Sequence, residues 1–262
     1  LHKSGRRFPT LTYVAPIEDE NGEIIAGIEV FRDISKEEDY RILQEKFTNF
    51  IKKYVSTTTF ETVMERIQLD DMQTSSMTRD ITILSLDIVD FTTFSEKSSP
   101  KDVVKMLNEM FGICGVITEE CHGDIDKFIG DAIMAVFVDA NDAVLASEKI
   151  LTALTDLNTI RTNKGRQEVN VRLGINSGKV IQGDIGTVER KDLTVIGDAV
   201  NIAARIQTVT APNSISISEA TFSRLKNPNS FTFKEEVIVK GKTQPVRIFR
   251  HNSYPIYSDL TG

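Results

Sequence analysis

Two stretches of this chain end apolar runs on carboxylates. In "ITILSLDIVDFTTFS" a segment of β character ends on Asp87 and is followed at once by Ile88, Val89, Asp90, Phe91 and Thr92. Backbone N–H groups in such a turn hold phosphate oxygens, and a carboxylate beside them suits Mg²⁺, which takes one or two carboxylates plus substrate phosphates. In "DIDKFIGDAIMAVF" two apolar runs flank Gly130, with Lys127 and Asp131 four residues apart around the turn. That pair is either a local ion pair on a hairpin or two residues serving different chemistries. Alone, each aspartate reads as a turn or capping residue. Together, Asp87 and Asp131 outline a two-metal site, which activates an attacking oxygen and stabilises a leaving phosphate.

Other charged and polar residues each have a plain reading. Asn201 and Arg205 lie one helical turn apart in "GDAVNIAAR" and share a face, by default a solvent-facing one. Thr194 is a β-branched residue in strand-like sequence. Lys240 in "VKGK" suits an edge strand, where lysine protects against pairing. Arg172 and Lys179 read as surface charges.

Composition narrows the function classes. The net charge of −7 over 262 residues argues against a surface built for a nucleic acid polymer, while leaving room for a local basic pocket. Cys114 and Cys121 are one heptad apart on a predicted helix, about 10 Å along its axis, too far to bond to each other. They read as reduced core thiols of a cytoplasmic protein. His2, His122 and His251 have no Cys or His at ligand spacing, which disfavours zinc. The longest apolar run, Ala132 to Val138, is too short to span a bilayer. The chain opens without methionine inside a strand-like stretch, as an excised fragment would.

The elements that must position these residues follow from periodicity. Residues 8–17 and 23–32 are β-type segments around the turn "EDENGE". A helix follows, with Tyr40, Leu43, Phe47, Phe50 and Tyr54 spaced 3, 4, 3, 4. This is either a short coiled-coil seam or a helix packed on its own domain. Thr58 and Glu61 suggest a capping box for a second amphipathic helix with Phe60, Val63, Met64 and Ile67, and "DDMQTSSMT" is a polar linker. From Arg79 the pattern predicts a strand (81–87), a helix (100–121) capped by Ser99 with Pro100 in its first turn, and a hairpin (124–138). Next come a helix (142–160), a strand (168–176), short strands around 180–196 and a helix (198–208). "SISIS", a short helix and strands near 231–239 and 246–250 complete an α/β or α+β domain.

Two resemblances assemble these parts. The segment "HKSGRRFP...YVAPIEDENGEIIAGIEVFRDIS" resembles the closing strands of a PAS domain. "LSLDIVDFTTFS", "DKFIGDAIMAVF", "VRLGINSGKVIQGDIG", "LTVIGDAVNIAARI" and "VIVKGKTQPVRIF" occur in the order and spacing of the class III nucleotide cyclase catalytic domain. The resemblance implies an α+β fold with a ferredoxin-like core, working as a head-to-tail homodimer with substrate bound across the interface. It divides the chain into a PAS-like sensor end (1–34), a coiled-coil or helical transducing linker (35–77) and the catalytic domain (78–252).

By position, the resemblance makes Asp87 and Asp131, assisted by the Ile88 carbonyl, ligands of two Mg²⁺ or Mn²⁺ ions. It gives Phe91 and Thr92 to the substrate phosphates, Lys240 to the terminal phosphates, Asn201 to the ribose and Arg205 to transition-state charge. Asp90 departs from the family pattern, which often has glycine there, and is expected to point outward. Lys127 and Thr194 fall at the base-selecting positions. Adenine presents an acceptor at N1 and an amine at N6, which an ammonium and a hydroxyl satisfy; guanine reverses both and calls for a carboxylate. A buried mismatch costs about 1–3 kcal/mol. The implied function is therefore an adenylyl cyclase with ATP as substrate, governed by an upstream PAS or other sensor. The alternatives are a guanylyl cyclase and a catalytically silent dimeric signalling module.

Overall fold

The computed structural model describes residues 7–70, 76–238 and 245–254 of the chain. Two compact units divide it, Leu1–Val55 and Ser56–Gly262. In the first, β1 (Thr10–Glu18) and β2 (Ile24–Asp33) form an antiparallel hairpin whose turn is held by Asp19 Oδ1, which accepts from the N–H groups of Asn21 and Glu23 at 2.8 and 2.9 Å. Helix α1 (Ser35–Ile51) follows, and Tyr40, Leu43, Phe47 and Phe50 remain exposed along it.

The second unit opens with α2 (Thr57–Gln68). Ser56, not Thr58, caps it by accepting from the Thr59 N–H, and Thr58 lies inside the first turn. The sequence signal for a capping box fell two residues late because the first-turn N–H groups of Thr57 and Thr58 are taken by a distant carboxylate, Asp124, at 3.2 and 2.8 Å. At the far end Arg66 pairs with Asp184 at 2.6 Å.

The body is an eight-stranded sheet. Its first half runs β4 (Gly123–Ile129), β5 (Ala132–Phe137), β3 (Ser76–Ile88), β6 (Val171–Gly186), all antiparallel neighbours. With helices α3 (Phe91–Lys97), α4 (Pro100–Glu120) and α5 (Ala140–Asn163) as connections, this is a βαββαβ unit in the strand order of a ferredoxin-like sheet. β8 (Ser214–Ser218) extends β6 in parallel, followed by β10 (Val246–His251) and β9 (Phe231–Val237), while β7 (Lys191–Ile196) pairs with the second half of β6. A short helix, α7 (Glu219–Phe222), follows β8.

Alternation along β3 divides the core. Leu84, Leu86 and Ile88 face the larger cluster beneath α4 and α5, with Met106, Met110, Cys114, Ile150 and Leu154. Ile81 and Ile83 face a smaller cluster with Val180, Val195, Ala199 and Ala203, the last two from α6 (Asp198–Val209). Asp87 follows Ile81 and Ile83 at even spacing, so it belongs to the α6 face. Each fully buried aliphatic side chain contributes roughly 1.5–3 kcal/mol. Cys114 and Cys121 are both buried and unpaired, and burial pushes the Cys114 thiol up to about 12. Among the described residues no helix is long and apolar enough to cross a membrane.

The sequence suggests several short strands between 168 and 196, whereas β6 runs unbroken from Val171 to Gly186. Two of its glycines, Gly174 and Gly178, serve the helix above it. A Cβ at position 174 would lie 2.6 Å from the Ala203 carbonyl oxygen and closer still to the Gln207 backbone nitrogen; at 178 it would meet only the Ala199 Cβ, at 3.1 Å. Gly174→Ala is therefore expected to destabilise the protein by about 1–3 kcal/mol, as overpacking against backbone does. Gly178→Ala should cost clearly less, since only a side-chain methyl has to give way. Urea midpoints of the two variants test this, and equal midpoints would refute the close approach of α6.

Candidate active site

The β4–β5 hairpin closes on Gly130 and Asp131, since Ile129 pairs with Ala132. Gly130 has φ 64° while Asp131 stays at negative φ, the pattern of a two-residue hairpin turn with glycine first. This turn brings the Asp131 carboxyl against that of Asp87 and the backbone of Ile88. Burial and the neighbouring Asp87 charge push the Asp131 carboxyl up to about 6. Among the described residues neither carboxylate has an ion-pair partner, and Asp87 receives only a long contact from Gln207 Nε2, 3.4 Å away.

Like charges held together without a counter-ion are costly, and a divalent cation between them removes the cost. No cluster of three or more His, Cys, Asp and Glu side chains occurs among the described residues. A pair of carboxylates with the Ile88 backbone nevertheless fits Mg²⁺, which keeps positions for water and phosphate oxygens.

Lys127 is not bound to Asp131. A β-bulge interrupts the β4–β5 register between Ile125 and Lys127, leaving Asp126 as the extra residue. In a regular strand neighbouring side chains point to opposite faces; a bulge re-aims one of them. Here Asp126 and Lys127 both reach β7. The Thr194 hydroxyl donates to Asp126 Oδ2 at 2.7 Å, the Lys127 ammonium lies 3.7 Å from the same oxygen, and its closer partner is Asp192 at 2.7 Å. Burial raises the Asp126 carboxyl, opposed by the Thr194 hydrogen bond and the Lys127 charge. Lys127 and Thr194, distant in sequence, thus meet at one carboxylate.

The remaining candidates are placed apart from this pair. Asn201 and Arg205 share the exposed face of α6, and their side chains make no hydrogen bond or ion pair with another described residue. Neither approaches the carboxylates of its own chain within bonding distance. Phe91 and Thr92 open α3, whose first-turn N–H groups have no intrahelical acceptors. Asp90 precedes them in the left-handed region, φ 55° and ψ 29°, and is exposed. Glycine adopts that conformation freely and aspartate tolerates it. Lys240 lies outside the described residues.

Three residues escaped the sequence reading. Asp126 looked like one acid among several in "DIDKF". Gln207 sits on the buried face of α6, a place usually filled by an apolar residue. Arg172, taken for a surface charge, is half-buried and stands directly opposite Asp87 in the β3–β6 ladder. Register, which decides that last pairing, cannot be read from one strand alone.

Comparison with known proteins identifies the surroundings of these residues. The family profile described as "Adenylate and Guanylate cyclase catalytic domain" matches residues 73–252. An adenylate cyclase of Anabaena cylindrica is 37% identical over 186 residues, covering 67% of this chain and 37% of that protein. The chain thus spans little more than a third of that curated relative. Among solved structures, the adenylyl cyclase CyaB from P. aeruginosa is 28% identical with a TM-score of 0.64, over 68% of this chain and 95% of that one. The guanylyl cyclase Cya2 is 32% identical with a TM-score of 0.63, over 67% and 93%.

The burial of Asp131 beside the Asp87 charge has a measurable signature in metal-free protein. A carboxyl raised from 3.8 to about 6 on folding favours the native state while protonated, and that contribution is lost as pH rises through this window. Asp131→Asn removes the titration, so the melting temperature of the variant relative to wild type is expected to climb between about pH 4 and pH 6 and then level off. Millimolar Mg²⁺ or Mn²⁺ should raise the wild-type melting temperature at pH 7.5 and leave the variant nearly unchanged. A difference that does not vary with pH would show that burial and the Asp87 charge do not raise the Asp131 carboxyl.

Proposed function

The chain belongs to the family of adenylate and guanylate cyclase catalytic domains, and from that premise we propose that it is an adenylyl cyclase converting ATP to 3′,5′-cyclic AMP and pyrophosphate. The ribose 3′ oxygen attacks the α-phosphorus in line and gives up its proton. The bond from that phosphorus to the oxygen bridging the β-phosphorus breaks, and pyrophosphate leaves. Two Mg²⁺ or Mn²⁺ ions, when bound at Asp87, Asp131 and the Ile88 carbonyl, lower the hydroxyl pKa and neutralise the phosphates.

The chain's own residues bind and orient. Lys127 and Thr194 read the adenine, and the observation that carries this reading is their meeting at the Asp126 carboxylate. Amides at Phe91 and Thr92 receive phosphate oxygens, Lys240 holds the terminal phosphates, and Arg172 offers a guanidinium beside Asp87. Asn201 positions the ribose, and Arg205 meets the charge that develops on the phosphorus oxygens.

Asn201 and Arg205 are exposed and bonded to none of the described residues of their own protomer, which supports a head-to-tail homodimer. Each site then takes Asp87 and Asp131 from one chain and Lys127, Thr194, Asn201 and Arg205 from the other. The exposed stripe Tyr40, Leu43, Phe47 and Phe50 suits a coiled coil that aligns the two halves. Residues 1–34 are the end of a PAS-like sensor, residues 35–77 the transducing linker and residues 78–252 the catalytic domain. The sensor shifts the population of competent dimers in the cytoplasm. A second reading, guanylyl cyclase, is favoured by the 32% identity to Cya2 and by the ability of a lysine to donate to guanine O6.

Purified protein incubated with Mn²⁺ and either ATP or GTP is expected to yield cyclic AMP from ATP at the higher kcat/KM. Cyclic GMP alone would overturn the base assignment, and no cyclic nucleotide from either would overturn the enzyme. Asp87→Ala and Arg205→Ala are each expected to lower activity at least a hundredfold, and their mixture to recover up to about a quarter of wild type, since one site in each heterodimer is whole. Mixed variants that exchange subunits yet stay inactive would refute the shared site.

A further inference from the structure

Asp126 has no part in the chemistry described so far, yet its side chain is only 7% exposed and three groups converge on it. Thr194 Oγ1 donates to its Oδ2 at 2.7 Å, the Val195 backbone N–H donates to the same carboxylate, and the Lys127 ammonium is 3.7 Å away. Thr194 itself is 5% exposed. We infer that Asp126 is the positioning residue that sets nucleobase choice, by claiming the hydroxyl proton of Thr194 and leaving that oxygen able only to accept.

The inference rests on the reading that Lys127 and Thr194 face the base. A threonine hydroxyl by itself both donates and accepts, so it cannot tell the adenine amine from the guanine carbonyl. An ionised carboxylate only accepts; burial raises the Asp126 carboxyl, while the Thr194 hydrogen bond and the Lys127 ammonium favour the ionised form. With its one proton directed at Asp126, Thr194 Oγ1 meets the N6 amine of adenine with a free lone pair. Guanine O6 would meet the same lone pair with no hydrogen between them. The β-bulge at Asp126 is what allows this, because it turns Asp126 and Lys127 toward β7 together.

The consequence is a polarity that matched substrates can measure. N6-methyl-ATP and 6-methoxypurine riboside triphosphate have nearly the same shape and the same N1 acceptor, but the first offers an N–H and the second a bare oxygen. Wild-type enzyme is expected to prefer N6-methyl-ATP by roughly one to two decades in kcat/KM. Asp126→Asn should bring that ratio toward unity and lower the ATP to GTP ratio about tenfold, with Thr194→Ala doing the same and the double variant doing no more than either. Equal use of the two analogues by the wild type overturns the inference without any variant having to fold. If Thr194→Ala shifts the ATP to GTP ratio and Asp126→Asn does not, the base reading stands and the role of Asp126 falls. If Thr194→Ala leaves that ratio unchanged, the base reading itself fails.

Discussion

All thirteen residues of β3 pair with β6, and this ladder decides where every candidate residue lies. Because side chains alternate, it sends Leu84, Leu86 and Ile88 into the core beneath α4 and α5 while holding Asp87 on the α6 face. A slip of one residue would bury Asp87 and expose three aliphatic side chains, a change that costs far more than any local preference. The same register sets Arg172 opposite Asp87. Gly174 and Gly178, further along β6, let α6 settle close enough for Gln207 to reach the carboxylate.

Much of this was legible in the sequence for a physical reason. The hairpin around Gly130, the Ser99 cap with Pro100 and the apolar face of α4 are local signals whose causes lie within a few residues, and the structure has them within a residue or two of their expected bounds. The continuous β6 was not legible, because its glycines answer to a helix some thirty residues downstream rather than to a turn. The α2 cap was misread for a related reason: Asp124, far along the chain, satisfies N–H groups that a local rule assigns to a neighbour. At the site, the residue types near Asp87 and Asp131 stood out as chemistry, while Asp126 did not. Its significance depends on a bulge, and a bulge is a property of two strands together.

The site also shows how the fold manages buried charge in two opposite ways. Around Asp126 a hydroxyl and an amide donate to the carboxylate and an ammonium lies 3.7 Å away. At Asp87 and Asp131 the backbone N–H groups of Asp131 and Ile88 only partly offset burial and the mutual charge, which together raise the Asp131 carboxyl. The first arrangement defines directions before a ligand arrives. The second concentrates negative charge, which favours a divalent cation.

Helix α2 is fastened at its first turn to the strands that bear Lys127 and Thr194, and at its last turn to β6. Its first turn is bonded to Asp124 on β4, three residues before Lys127, and Thr59 reaches the Leu193 carbonyl on β7 at 3.4 Å. Its last turn is fixed by Arg66 to Asp184 on β6. A rod pinned at one point can swivel; pinned at two points, roughly 13 Å of helix apart, it is held in direction as well as in place. One helical turn thereby ties together two strands, β4 and β7, that are about seventy residues apart in the chain.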